Sequence, residues 1–250
     1  MKKAIAFIFA MVLAASFVAC SDNSSSSTPT FTDIGFNDIN EVLTDVADSE
    51  TVVFLLRHAE RVADYSSAGL LTENGKEQAK TVGKKIKSDE EVFYASSDYA
   101  RTQQTCEGIA EGRGEKNYQR ETWDFLSGEW YEKDFLVNIQ NNWHNFNSFS
   151  QWAYEGGFTG AFYDLTTRSE EWLDSLENHL PSMKRLNILI SHDFLVAGLA
   201  IYTTNKEIDL HYWVNQKWIN YLAGIAIIIE PSGKMRYKTV RGLESGLLQQ

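Results

Sequence analysis

The sequence predicts an α/β protein, a three-layer α/β/α sandwich with a mostly parallel central sheet. Three short apolar runs, residues 51–56, 92–96 and 186–190, are rich in β-branched or aromatic residues and bounded by polar ones, which is typical of buried parallel strands. A segment with helical periodicity follows each run. Because strands that alternate with helices form sheets covered on both faces, we expect one domain of this class. The 250 residues, 43% of them hydrophobic, suffice for its core.

Residues 1–20 have the composition of a lipoprotein-type signal peptide. Two lysines at positions 2 and 3 precede an uncharged run that ends at Cys20. This order marks an export signal, and the run is too short and too early for a spanning helix. Residues 17–20, FVAC, are similar to the bacterial lipobox, which implies lipidation of Cys20. The alternative is an ordinary cleaved signal with an incidental cysteine. We expect an exported protein anchored to a membrane of the bacterial cell envelope, periplasmic or at the cell surface.

The remaining chain divides into a polar tether, residues 21–37, and one domain, residues 38–250. The tether begins with a serine-rich stretch that has little to bury. With 23 basic against 34 acidic residues, the net charge is −11, which excludes the basic surface that nucleic acid requires. The sequence does not set the oligomeric state.

The helices and the final strands follow from periodicity and capping residues. Thr72 is placed to cap a helix, and Ser97 or Asp98 to cap the next, on whose buried face Cys106 falls. Further helices are predicted at 39–46, 169–180 and 194–202, and a terminal hairpin at 221–229 and 235–240.

An aromatic-rich insertion is predicted at about residues 123–162. It contains Trp123, Trp130, Trp143 and Trp152 and has no long regular periodicity. Insertions of this length in compact domains are usually functional, so it could cover a binding pocket and stack on the organic part of a ligand. The alternative is a secondary hydrophobic cluster.

Two histidines directly follow predicted strands. His58 comes after the first strand and Arg57, and His192 ends the third strand, before Asp193. Because parallel strands present their carboxyl ends at one edge, where α/β sheets bind ligands, we expect one site. Arg61 lies one turn beyond His58.

A third arginine joins this edge. Arg101 falls in the first turn of the helix after the second strand, where the helix N-terminus itself favours anions. Guanidinium groups match phosphate oxygens in geometry. The residues therefore predict a phosphoryl-binding pocket.

Four ordered motifs resemble the histidine phosphatase (phosphoglycerate mutase-like) superfamily. They are RHAER at 57–61, LTENG at 71–75, SSDYARTQQT at 96–105 and SHD at 191–193. The resemblance spans about residues 51–240 and thins across the aromatic insertion. One departure is Ala59, where the family usually has glycine.

The resemblance implies roles for the residues. His58 would be a nucleophile that becomes phosphorylated, and Arg57, Arg61, Arg101 and His192 would hold the phosphoryl oxygens. It implies a small phosphorylated substrate and requires neither a metal nor another cofactor.

The proton donor is open between two carboxylates. Asp193, next to His192, resembles the acid of the acid phosphatase and phytase branch, and we favour it. Asp124 resembles the position of a glutamate in the mutase-like branch. The expected function is phosphomonoester hydrolysis. Its alternatives are a phosphotransferase or mutase, and a non-catalytic surface lipoprotein that binds phosphorylated or glycan ligands, which the presence of both histidines disfavours.

Overall fold

The computed structural model describes residues 30–31, 35–133 and 146–249. The strands are β1 (Thr30–Phe31), β2 (Asn37–Asp38), β3 (Thr51–Arg57), β4 (Val92–Ser96), β5 (Glu121–Thr122), β6 (Leu186–Ser191), β7 (Lys217–Ile219), β8 (Ala223–Ile229), β9 (Met235–Arg241) and β10 (Leu247–Gln249). The helices are α1 (Ile39–Thr44), α2 (Glu73–Lys85), α3 (Ala100–Arg113), α4 (Phe146–Glu155), α5 (Leu165–His179), α6 (Asp193–Thr203) and α7 (Tyr212–Asn215).

The main sheet has the strand order β1-β9-β8-β3-β6-β4-β5, with β2 also beside β9. Among its described strands only β8 runs against its neighbours, β3 and β9. The strands β3, β6, β4 and β5 are mutually parallel, so their carboxyl ends share one edge. A separate antiparallel pair joins β7 to β10.

Helices cover both faces of the sheet. Alternate residues of a strand point to opposite sides, and in β3 both sets are apolar and buried. In β3, Val52, Phe54 and Leu56 pack into a largely aliphatic layer with α1, α2 and α3. Val53 and Leu55 face a layer rich in aromatic residues, built with α4, α5 and α6. The predicted fold class, a three-layer sandwich with a mostly parallel sheet, is confirmed.

The predicted elements are largely present, and several differ in detail. Thr72 caps α2 as expected, its hydroxyl accepting from the Gly75 amide at 2.9 Å. The helix α3 begins later than predicted, after Tyr99, and has no side-chain cap. The predicted terminal hairpin is the antiparallel pair β8 and β9. Short strands at Thr30–Phe31 and Asn37–Asp38 pair with β9, so part of the segment assigned to the tether contributes to the sheet.

The aromatic-rich insertion has more order than its sequence indicates. It contains α4, whose Phe149 and Trp152 are buried in the aromatic layer. Most of its described rings therefore build core, as the secondary-cluster alternative expected, while Phe146 reaches a pocket described below. Trp143 and the whole signal with Cys20 lie outside the described residues. No helix in the described ranges has the length and apolar character that a membrane crossing requires.

Candidate active site

His58 and His192 meet at the carboxyl edge of the sheet. The strand β6 lies between β3 and β4, so the residues after these three strands are neighbours. The His58 amide donates to the Ser191 carbonyl at 2.9 Å, which extends the β3–β6 ladder by one residue. The two imidazole rings have centroids 5.5 Å apart, and both side chains are buried.

The imidazole of His58 has a defined tautomer. Its Nδ1 lies 2.7 Å from the Ala59 carbonyl oxygen. A carbonyl only accepts, so Nδ1 carries the proton and Nε2 keeps a free lone pair. Burial, followed by the positive charge of a protonated His192 and of Arg57, lowers the pKa of His58 well below its usual value. His58 is therefore a neutral imidazole with Nε2 available as a nucleophile.

The orientation of His192 is fixed by donors and acceptors on both sides. Nη2 of Arg101 lies 3.3 Å from Nδ1 of His192, and an arginine can only donate. Nε2 therefore carries the proton and donates to the Ser97 hydroxyl oxygen, 2.9 Å away. Burial, and then the charge of Arg101, lowers the pKa of His192 to about 3. His192 is thus neutral in the free protein.

Arg101 presents part of its guanidinium group to the pocket. Its Nη1 donates to the Ser66 carbonyl at 2.8 Å, and the group stacks on the Tyr99 ring at 4.3 Å. Its buried Nε has no hydrogen-bond partner among the described residues. Burial, with the nearby charge of Arg61, lowers the pKa of Arg101. A positive charge held in this way favours an anion as its counter-ion.

Buried Arg57 and half-buried Asp193 form an ion pair. Nη2 of Arg57 lies 3.1 Å from Oδ2 of Asp193, and Nη1 donates to the Ile219 carbonyl at 2.6 Å. The Trp218 indole also donates to Asp193. Burial by itself would raise the pKa of Asp193, but the charge of Arg57 and the hydrogen bonds to the carboxylate outweigh it and lower that pKa. Asp193 is therefore held as a carboxylate.

A pocket of about 450 Å³ opens above these groups. It is lined by most of the predicted side chains, together with several aromatic ones. These residues are His58, Arg61, Tyr65, Tyr99, Arg101, Gly128, Glu129, Phe146, His192, Asp193 and Phe194. A larger depression of about 640 Å³ is lined by residues from the amino-terminal half of β4, and it contains neither histidine.

The structure brings together most of the predicted site residues. Arg57 is the exception among the arginines, since it pairs with Asp193 and is absent from the pocket lining. Asp124 is not brought to the pocket either. It is exposed in a short 3-10 turn and lines a separate depression with Trp130 and Arg168. The reason is local, because the neighbours of Asp124 in the turn, Phe125 and Leu126, are buried in the core.

The motifs do not identify every residue of the pocket. The motif at 96–105 contains Ser97 and Tyr99 but predicts neither a role for the Tyr99 ring nor the link from Ser97 to His192, and none of the four motifs includes Glu129. Gly128 offers the one local signal, since a side chain there would place its first carbon 2.7 Å from Cβ of His192. That glycine lets the loop approach His192 and so carries Glu129 to the pocket.

The chain belongs to the histidine phosphatase superfamily (branch 1), which matches residues 53–233. The structure is similar to phosphoglycerate mutase from Bacillus anthracis, with 15% identity, a TM-score of 0.51, and coverage of 77% of this chain and 93% of that chain. It is also similar to a mycobacterial glucosyl-3-phosphoglycerate phosphatase in complex with inorganic phosphate, with 14% identity, a TM-score of 0.50, and coverage of 79% and 98%.

A third similar structure is phosphoserine phosphatase from Entamoeba histolytica in complex with 3-phosphoglyceric acid. Its identity is 17%, its TM-score 0.50, and the coverage is 78% of this chain and 98% of that chain. At such identities the likeness concerns the fold. No curated protein matches the sequence.

Among the described residues no three His, Cys, Asp or Glu side chains are grouped as ligands for a metal ion. The metal independence that the resemblance implies stays a prediction, as do the individual catalytic roles.

Proposed function

We propose that this protein is a phosphomonoester hydrolase that acts through a phosphohistidine at His58. The observation that carries the proposal is the state of that side chain. His58 is buried and neutral, its Nδ1 is bound to a carbonyl, and its Nε2 is free beside Arg101 and His192. A nucleophile in this state, next to a guanidinium group at the edge of a pocket, suits attack on phosphorus.

The proposed reaction has two displacements. Arg101 and Arg61 hold the non-bridging oxygens and stabilise the charge on them, while Nε2 of His58 forms a bond to phosphorus. The bond from phosphorus to the ester oxygen breaks, and an acid supplies the proton that this oxygen takes. Water then attacks phosphorus and gives one proton to the carboxylate left by the acid, the P–N bond breaks, and inorganic phosphate leaves with His58 and the acid restored.

Phosphate binding also involves His192 in this proposal. In the free protein Nη2 of Arg101 donates to Nδ1 of His192. When Arg101 turns to the phosphoryl oxygens, Nδ1 of His192 is released. It can then take up a proton and donate to the same oxygens. Arg57 supports the site indirectly, since it orients Asp193.

Asp193 is the proposed proton donor, with Asp124 as its alternative. Asp193 lines the pocket, whereas Asp124 lines another depression. Two considerations keep the alternative open. The pKa of Asp193 is lowered, which makes its protonated form scarce at neutral pH, and one of the similar structures is a phosphoglycerate mutase. That neighbour also makes phosphotransfer the second candidate function.

We also propose that the protein is exported and anchored by a lipid on Cys20. The composition of residues 1–20 and the FVAC sequence that ends them support this. An exported site favours hydrolysis over transfer, because phosphate scavenging is useful outside the cytoplasm. The substrates in the neighbouring structures support a small phosphorylated substrate.

Phosphate release by the full chain tests the proposal. The assay covers a panel of phosphomonoesters from pH 4 to 8 without added metal, beside the variants His58→Ala and His58→Gln. We expect turnover by the wild type and a loss of about 10⁴-fold or more in both variants, because the nucleophile is gone. His211→Ala, a half-buried histidine outside the pocket, should keep full activity. Undiminished turnover in a folded His58 variant would contradict the mechanism.

A further inference from the structure

The described lining of the pocket has no lysine or arginine beyond the two that are proposed to bind the phosphoryl group. Among the described residues that line it, the cations are Arg61 and Arg101, and no lysine is present. Both arginines are assigned to the phosphoryl oxygens, and the nearby Arg57 is already paired with Asp193. The described lining therefore offers no further arginine or lysine to bind a second anionic group on a substrate.

Glu129 adds a negative charge at the mouth of the pocket. Its side chain is exposed, and it follows Gly128, which lies against His192. After burial, the charge of Glu129 is the main factor that raises the pKa of the Tyr99 hydroxyl. Glu129 lines the same pocket as Tyr99, the ring on which Arg101 stacks. It has no salt-bridge partner among the described residues.

The rest of the mouth is aromatic. Tyr65, Tyr99, Phe146 and Phe194 all line the pocket. Tyr65 is 76% exposed and lies under the guanidinium group of Arg61 at 3.9 Å. Phe146 and Phe194 contact each other, with ring centroids 5.6 Å apart. Flat apolar surfaces of this kind bind rings by stacking.

We propose that Glu129 selects against substrates with a second anionic group, so that the protein prefers phosphomonoesters whose organic part is an uncharged or cationic ring. This inference rests on the proposed function and adds a substrate class to it. Glu129 acts here through charge, as a specificity-determining residue, and the aromatic side chains supply the attraction. The similar structures bind or are named for phosphoglycerates, which carry a carboxylate, so the inference separates this chain from them.

Two esters that differ by one charge test the inference. Phenyl phosphate and 4-carboxyphenyl phosphate share a ring, and the carboxylated phenol is the slightly better leaving group, so leaving-group chemistry opposes the expected preference. The ratio of their kcat/KM values is measured for the wild type, Glu129→Gln and Glu129→Lys at low and high salt. Glu155→Lys is the matched control, because Glu155 is exposed at the end of α4 and does not line the pocket.

We expect the wild type to prefer phenyl phosphate by about tenfold at low salt, and less at high salt, as screening predicts. Glu129→Gln should reduce the preference and Glu129→Lys should abolish or invert it, while Glu155→Lys retains it. Equal use of the two esters by the wild type would overturn the inference alone. The inference alone would also be overturned if Glu155→Lys changed the preference as much as Glu129→Lys, or if Glu129→Gln slowed the hydrolysis of both esters equally. Absence of turnover on any ester would instead overturn the proposed function.

Discussion

The pocket has two walls of different origin. One wall is formed where parallel strands end, and it holds His58 and His192. The other is formed by loops and by the start of α4, and it holds Tyr65, Glu129 and Phe146. In the first wall the backbone ladder positions His58, whose amide donates to the Ser191 carbonyl, and hydrogen bonds with Arg101 and Ser97 orient the His192 ring. We infer that the strand wall performs the chemistry and the loop wall selects the substrate.

The largest loss of activity is expected from replacing Arg101. Replacing it by alanine removes a phosphoryl anchor and the donor to Nδ1 of His192. We expect kcat/KM to fall by about 100- to 1000-fold on every ester. Arg101→Lys should recover only part of this, because lysine keeps the charge and loses the fork. Initial rates over the ester panel provide the measurement.

Arg61→Ala is the comparison for that experiment. Arg61 is less buried, stacks on Tyr65 and donates to the Val62 carbonyl. The substitution should cost about tenfold or less, because a partly exposed charge contributes less than a buried one. Equal losses in the two variants would mean that burial does not distinguish the two arginines.

A smaller and ester-dependent effect is expected at Asp193. Asp193→Asn keeps the shape of the side chain but cannot donate a carboxyl proton. The rate should fall about 10- to 100-fold for alkyl esters and little for 4-nitrophenyl phosphate, whose leaving group needs no proton. Because the pKa of Asp193 is lowered, its protonated form is populated only at acidic pH. The wild-type rate on alkyl esters should therefore be highest at acidic pH.

Asp124→Asn is the matched control for the proton donor. Asp124 is exposed outside the pocket, so we expect little change on either kind of ester. The reverse pattern, with the alkyl-selective loss in Asp124→Asn, would assign the acid to Asp124. It would require the turn at residues 124–126 to reach the pocket during turnover.

The smallest effect should come from the loop wall. Phe146→Ala removes a ring that contacts Phe194 and Trp218 and lines the pocket. We expect KM for phenyl phosphate to rise about three- to tenfold, the value of one stacking contact, with kcat for a small alkyl ester unchanged. Steady-state kinetics on the two esters measure this. Phe158→Ala, an exposed ring from the same insertion outside the pocket, should change neither constant.

The two walls also differ in how far the sequence predicts them. A strand is a local pattern, so residues that follow an apolar run can be assigned to the sheet edge from the sequence alone. His58, His192 and Arg101 follow from such runs and from one helix start. Ser97 shows the limit of local rules, since they predict a helix cap there and its hydroxyl instead bonds His192.

The loop wall depends on contacts between distant parts of the chain. Glu129 reaches the pocket only because Gly128 packs on His192. Phe146 does so because it packs against Phe194 and Trp218, far along the chain. No spacing rule links such residues. The same limit explains Asp124, because a motif predicts its place in the site while the burial of its neighbours turns it outward.

The central claim is that the phosphoryl group is transferred to His58 before it reaches water. Trapping this phosphohistidine tests the claim most directly. The protein is mixed with a rapidly hydrolysed aryl phosphate, quenched in alkali, which preserves phosphohistidine, and digested for mass spectrometry. We predict one phosphate on the peptide that contains His58, lost on acid treatment and absent from His58→Gln. A phosphorylated residue elsewhere, or full turnover with no phosphorylated His58 at any time point, would contradict the account.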